Sequence, residues 1–253
     1  MMENKEIFQF WNEQAGLSEK AGSRDLVAKQ IEVEALARHM RNGISVCEFG
    51  CGNGVTAIEF ARRFDITLQC FDFSAPMVEA ARADAREAGV SHKVRFDVAD
   101  VHNEPTLDRL YDLIYTERML INLQSWNAQE RAIRYLAKNL QPGGRLLLCE
   151  NSIQGLAKLN QLREMVGLSP ISPPWHNCYL SDTAMDGLNG SDLRLVSVEP
   201  FSATYYFLSR VVNAWLAKQD GQQPAYDAPV NTLALKLPPF GDCAQGKLWI
   251  FEK

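Results

Sequence analysis

Two rhythms of apolar residues divide this chain. Near the front, Ile7, Phe10, Trp11 and Ala15 share one face of a helix predicted over 3–15, and Leu26, Val33, Ala37 and Met40 do so over 24–40, where Gly43 ends the run. Past Gly43 the pattern shortens to compact apolar runs at 45–49, 66–71, 93–98, 111–115 and 145–150, with amphipathic stretches at 54–63, 75–87 and 127–139. These runs lack strict alternation, so each strand is expected to be covered on both faces, as in a parallel sheet. The fold class that follows is α/β, a doubly wound, mostly parallel sheet with helices on both faces, because right-handed crossovers leave few other topologies. Further strands are predicted at 193–198 and 247–252 and a helix near 153–166, and no repeat or low-complexity tract interrupts the sequence.

The end of the first strand carries the clearest chemistry. Val46-Cys47-Glu48-Phe49-Gly50-Cys51-Gly52-Asn53-Gly54 closes an apolar run on an acid and then sets glycine at alternate positions. Such glycines let the backbone take φ > 0 and let a ligand lie against the main chain, while the helix behind them presents unpaired N–H groups. The dinucleotide fingerprint would need glycine at position 55, where Val55 stands, so the pattern is E-x-G-x-G-x-G instead. A second acid, Asp72, closes the run 66–71 and leads into Phe73-Ser74-Ala75-Pro76-Met77, where Ser74 is the natural helix cap with Pro76 in the first turn. Asp100 and Val101 trail the third run, and Pro142-Gly143-Gly144 forms a turn before the fifth.

In this order and spacing, E-x-G-x-G-x-G, D-x-S-x-x-M, the trailing Asp100 and P-G-G resemble the motifs of the class I S-adenosylmethionine-dependent methyltransferases, over about residues 45–150. The resemblance implies a Rossmann-like seven-stranded sheet with its last strand antiparallel. It implies S-adenosyl-L-methionine as cofactor and S-adenosyl-L-homocysteine as product, with Asp72 on the ribose hydroxyls and Asp100 at the adenine amino group. Cofactor contacts are expected from Glu48, Gly50, Cys51, Gly52 and Gly54, from Asp72, Phe73 and Met77, from Asp100 and Val101, and from Thr116 behind the fourth strand. The segment Phe10 to Ala15 resembles the leading helix that covers the cofactor in small-molecule members, which brings in Trp11, otherwise a core residue beside Ile7 and Ala15. Arg24, after a Gly22-Ser23 turn, is a candidate for the cofactor carboxylate, or an ordinary side chain at a helix start.

Composition narrows the partners. A formal charge of −5, a pI near 5.5 and the absence of a basic run argue against nucleic acid and anionic membrane and for a small-molecule substrate. No apolar stretch is long enough to span a bilayer, and the N-terminus lacks the apolar core of a signal peptide, so a cytoplasmic protein is expected, with either Met1 or Met2 as the start. Cys47, Cys51, Cys70, Cys149, Cys178 and Cys243 show no CxxC or zinc spacing, so mostly buried thiols and no metal site are expected.

The length suits one domain over 1–253, with an N-terminal helical cover over 1–42, a cofactor-binding core over 43–150, and substrate-side insertions at 151–192 and 199–246. Phe201, Tyr205, Tyr206, Phe207 and Trp215 in the second insertion favour a packed lid, with a homodimer surface as the other reading. An activated methyl group needs alignment and, for a hydroxyl acceptor, a general base. Of His39, His92, His102 and His176, only His176 sits in a Pro-fixed aromatic loop on the substrate side. His176, Glu117 and Arg118 are therefore the catalytic candidates. Arg118 would either clamp an anionic acceptor or pair internally with Glu117 or Glu150. The substrate candidates are Arg118, Asn122, Glu150 and Asn151, with Trp175, His176, Asn177, Tyr179 and Tyr206. Thr116-Glu117-Arg118-Met119 stands where methylators of base amino groups carry N-P-P-Y, which argues against that chemistry. The expected activity is methyl transfer to a small polar acceptor, most simply an oxygen. N-methylation of a small amine and a non-catalytic cofactor-binding regulator are the alternatives, and Val55 disfavours a nicotinamide oxidoreductase.

Overall fold

The computed structural model describes residues 2–20, 23–190 and 192–253. Met1 and Gly22, the latter half of the turn expected before Arg24, lie outside the described residues. Seven strands form one sheet: β1 Ser45–Phe49, β2 Thr67–Asp72, β3 Val94–Val98, β4 Tyr111–Glu117, β5 Leu140–Asn151, β6 Arg194–Glu199 and β7 Gly246–Glu252. Their spatial order is β3-β2-β1-β4-β5-β7-β6, and only β7 runs antiparallel to its neighbours, as the resemblance implies. The order reverses direction at β1 and β4, which opens a crevice at the carboxyl ends of these two strands.

Strand register explains why the apolar runs are unbroken. Val46, Leu113 and Leu147 face one side with Cys70, while Cys47, Ile114 and Leu148 face the other with Trp249. The first side is covered by α2 Leu26–Ala37, α3 Val55–Arg63 and α4 Ala75–Glu87, through Leu36, Phe60 and Ala81. The second is covered by α5 Trp126–Lys138 and the short α7 Asp182–Asp186, through Ile133, Leu136 and Met185. Burying each large apolar side chain in these layers contributes about 1.5–3 kcal/mol. Ser74, Ser125 and Ser152 cap α4, α5 and α6 Ile153–Met165 by accepting from the third residue on, and Pro76 sits in the first turn of α4.

Two elements differ from expectation. Pro142-Gly143-Gly144 is an irregularity within β5, where Tyr111 pairs with Leu140 but Leu113 with Arg145, so the strand starts earlier and bulges at Gly143. The chain from Ala203 to Gln219 is a helix whose middle widens: α8 Ala203–Tyr206, a π-helical segment Phe207–Asn213, then α9 Ala214–Gln219. With α6 it forms a third apolar cluster around Leu159, Tyr205 and Val211, which also receives Ala28 of α2. Among the described residues the remaining α-helices are α1 Met2–Gln14 and α10 Pro229–Thr232. Among the described residues no helix is long and apolar enough to cross a membrane, and no group of three or more His, Cys, Asp or Glu is placed to hold a metal ion.

Candidate active site

A cavity of about 760 Å³ opens over the carboxyl ends of β1 and β4 and runs from the glycine turn to the C-terminal helices. The turn is tied to β2 by the main chain, since Gly50 and Cys51 N–H both donate to the Phe71 carbonyl. Asp72, at the tip of β2, accepts from Gly52 N–H and Ser74 N–H at 2.8 Å each. Its carboxylate and the Gly52 backbone therefore share one corner. The three glycines serve different ends. A Cβ on Gly52 would meet nothing within 4 Å, whereas on Gly50 it would strike Met119 and on Gly54 the Phe96 ring and Ala81. Gly52 leaves room for a ligand; Gly54 leaves room for the core, and it does not line the cavity.

Beyond Asp72, Phe73, Met77, Asp100 and Val101 line the same end, with Glu48 and Cys51 beneath. Asp100 accepts from His102 Nδ1 and from its N–H, both at 2.9 Å. This bond holds Asp100 below the usual carboxylate range and raises His102, which also lines the wall and which its position just after β3 did not mark as a site residue. Trp11 is half-buried, lines the cavity and donates to Asn122 Oδ1 at 3.1 Å, so the leading helix covers the opening rather than sinking Trp11 in the core. Arg24 is exposed at the rim.

Between the two ends lies a charged network that local sequence did not show. Glu117 accepts from Lys29 Nζ at 2.7 Å and from Thr56 Oγ1 at 2.6 Å. Burial works against its charge, but Lys29 and Arg118 outweigh it and hold the carboxyl low. Arg118, with φ at +52°, lines the cavity and lies 3.3 Å from Glu32 of α2 rather than on Glu117 or Glu150, the internal partners of its second reading. Glu32 is itself raised by burial, and Glu48, buried with Oε2 unpartnered, is pushed up to about 8 by the same cause. The signal in sequence was the polar row Asp25, Lys29, Glu32 at helical spacing on the face of α2 that turns toward the sheet.

Besides Gly54, three expected contacts fall away from the cavity. Thr116 is fully buried and donates to Glu150 Oε1 at 2.8 Å, and Glu150 in turn accepts from the N–H groups of Met119, Leu120 and Ile121. Both residues brace the loop after β4 instead of reaching a ligand, because the strand ends with them inside the sheet. Trp175 points outward, 60% exposed, while its neighbours Pro174 and His176 line the wall. His176 stacks on Phe10 with ring centres 4.5 Å apart and meets Trp11 and Trp175 edge-on. Burial lowers its pKa, so the ring is neutral at neutral pH, and its Nδ1 is buried without a partner. Asn151, Asn177, Tyr179 and Tyr206 complete this end together with Gln245, Arg210 and Tyr226, which sequence reasoning did not single out.

The buried acids make stability depend on pH. Burial raises Asp72 to about 6, Glu150 to about 7 and Glu48 to about 8, so each binds its proton more tightly folded than unfolded. Their contribution is complete below the unfolded values and is lost as pH rises through the folded ones. The unfolding temperature should therefore fall as pH rises from about 4 to 8, each group contributing up to about 1.4 kcal/mol per pH unit between its unfolded and folded values. Glu117 and Asp100, held low, titrate below this window. A calorimetric pH series checks it, and a rising profile would contradict the burial of these carboxyls.

Residues 46–144 match the family model described as a methyltransferase domain. Over 150 residues the chain is 26% identical to methyltransferase GfsG of Streptomyces halstedii, covering 58% of this chain and 51% of that protein. Over 142 residues it is 30% identical to the 27-O-demethylrifamycin SV methyltransferase of Amycolatopsis mediterranei, covering 55% and 48%. The chain thus spans about half the length of these curated relatives. The magnesium protoporphyrin IX methyltransferase of Synechocystis PCC 6803, solved with bound S-adenosylhomocysteine, superposes with a TM-score of 0.55 at 16% identity, over 90% of this chain and 82% of that one. At that identity the likeness speaks for the fold.

Proposed function

Because the chain belongs to the class I S-adenosylmethionine-dependent methyltransferase family, with the family domain over residues 46–144, we propose that it methylates a small polar acceptor, an oxygen in the first instance. The observation that carries this reading is one continuous cavity with two unlike ends. At the first, the open face of Gly52, the buried Asp72 and the unpartnered Glu48 Oε2 fit a nucleoside bearing an amino acid. Asp72 would accept from the ribose hydroxyls, Asp100 would face the adenine, and Glu48, Lys29 and Glu117 would meet the amino-acid portion. When bound, the cofactor supplies a methyl group already activated on sulfur, which leaves alignment, exclusion of water and proton removal to the protein.

At the second end, His176 Nδ1, Asn151 Oδ1 and Asn177 Oδ1 are buried polar atoms lacking partners, a cost of about 1–3 kcal/mol each that a polar acceptor would relieve. His176 is the proposed proton acceptor for a hydroxyl. Its ring is neutral, oriented by Phe10 and Trp11, and shielded from water by the leading helix.

Calorimetric titration with S-adenosylmethionine, S-adenosylhomocysteine and NADH is expected to show the two adenosyl ligands binding and NADH not. Incubation of the loaded protein with matched panels of alcohols, phenols and amines, read by mass spectrometry, then identifies the acceptor atom. With an acceptor in hand, His176→Ala should lower kcat about a hundredfold with little change in cofactor affinity. An unchanged kcat would remove His176 from the chemistry, and binding of NADH alone would end the methyltransferase reading.

A further inference from the structure

Proton removal and cofactor binding leave Arg210 unused, although its guanidinium lines the cavity beside Tyr206 and Gln245. It stands in the π-helical segment Phe207–Asn213, a conformation that recurs at functional positions. Its Nη2 donates to Asp25 Oδ2 at 2.9 Å and its Nη1 to Ser209 Oγ at 2.6 Å. Its carbonyl accepts from Arg163 of α6. The rings of Tyr226, Tyr206 and Tyr205 surround the guanidinium carbon at 4.9, 5.4 and 5.9 Å. Asn231 donates to the Tyr226 carbonyl at 2.9 Å and fixes the loop that brings this ring in.

This is an arginine held in one orientation with donors to spare. A guanidinium carries five N–H groups, and the two bonds above use two of them. Asp25 is already committed, capping α2 at Ala28 N–H and accepting from the Tyr205 hydroxyl. Beside Arg210, the hydroxyls of Tyr179 and Tyr206 both accept from Gln245 Nε2, at 3.1 and 3.4 Å, and the Asn151 side chain also bonds the Tyr179 hydroxyl; as acceptors in these bonds both hydroxyls remain able to donate. Asn151, 5% exposed and at the same end, has its Oδ1 unpartnered. Arg118 adds a second guanidinium on the adjoining wall, 3.3 Å from Glu32, a carboxyl that burial raises.

Resting on the methyltransferase reading, we infer that the acceptor carries a carboxylate, seated on Arg210 with the hydroxyls of Tyr179 and Tyr206 as further donors, and that this anion selects the substrate. A planar fork with two hydroxyls beside it matches the two oxygens of a carboxylate. A phosphate dianion would bring two negative charges to a guanidinium whose single charge Asp25 already offsets. An ammonium group would have to lie beside the guanidinium groups of Arg210 and Arg118, which disfavours small amines as acceptors.

The test is ligand-observed NMR on protein saturated with S-adenosylhomocysteine, using benzoate, salicylate and hexanoate, each beside its primary amide, the corresponding amine and a phosphate monoester. Carboxylates should bind in preference to all three companions, and Arg210→Gln should weaken them at least about tenfold. Should Asp25, deprived of its partner, prevent that variant from folding, Tyr179→Phe with Tyr206→Phe keeps the ion pair. That double variant should weaken the carboxylates about tenfold while leaving their amides within about twofold. Equal binding of amides, amines or phosphates, no binding of any carboxylate, or indifference to both variants overturns the inference. Failure to bind S-adenosylhomocysteine at the outset would instead bring down the methyltransferase reading itself, and this inference with it.

Discussion

Asp72→Ala is expected to weaken S-adenosylmethionine binding at least about a hundredfold, to the edge of calorimetric detection. Two hydrogen bonds from ribose hydroxyls to a buried carboxylate, at about 1.5–3 kcal/mol each, account for that loss. The same substitution strips a partner from Gly52 N–H and Ser74 N–H, so the unfolding temperature of the free variant separates lost binding from a collapsed turn. Asp72→Asn is the finer probe. It keeps the shape but has one acceptor oxygen for two N–H groups and two hydroxyls, and should lose an intermediate amount. The wild type offers an independent check through pH. Asp72 is raised by burial to about 6, and the form that accepts from both hydroxyls is the ionised one. Affinity should accordingly hold above pH 6 and decline below it. Undiminished affinity in Asp72→Ala would take this acid out of the cofactor site.

The second large effect separates glycines that look alike in sequence. Gly52→Ala places a methyl group where no protein atom lies within 4 Å, on a residue at φ +53°, so folding should lose only about 1–2 kcal/mol. Cofactor affinity should fall tenfold or more, roughly the cost of a misplaced methyl at a closely packed surface. Gly54→Ala inverts the pattern. Its added Cβ would come within 2.7 Å of the Phe96 ring and 3.0 Å of Ala81, at φ +78°, so strain and overpacking together should cost about 3–4 kcal/mol of stability. Denaturant unfolding beside titration distinguishes the two. Gly52→Ala binding as tightly as wild type would mean that no ligand rests on that turn.

What could be read from the chain was what neighbours in sequence decide. The Asp72 corner is built from a strand end, a turn and a helix cap within a few residues, and their side chains carry the signal themselves. The acceptor end is different. Asp25 meets Tyr205 and Arg210 across 180 and 185 positions, and Lys29 meets Glu117 across 88, so no local pattern announces either contact. Arg118 illustrates the difficulty. Its sequence neighbours suggested Glu117 or Glu150, yet Glu117 is taken by Lys29 and Thr56 and Glu150 by the backbone of the following loop, which leaves Glu32. Glu150 and Thr116 were misjudged for a related reason. Polar residues at a strand tip read as ligand contacts, but the same position also serves to hold down the loop that follows. Trp175 and His176 show the limit of a loop motif, since which of two adjacent rings turns inward depends on Phe10, far away in the chain.

The widened turn at Phe207–Asn213 gives the acceptor wall a particular mode of inheritance. A π segment is an α-helix carrying one surplus residue, so a single-codon deletion inside it would restore ordinary winding and rotate everything on one side by about 100°. Arg210 would leave the cavity and another residue would take its place, while the glycine turn and Asp72, far away in the chain, kept their positions. With Arg210 as the proposed seat of the acceptor, preference would change in one discrete step of helical phase, without a gradual series of side-chain replacements and without disturbing the glycine turn and Asp72.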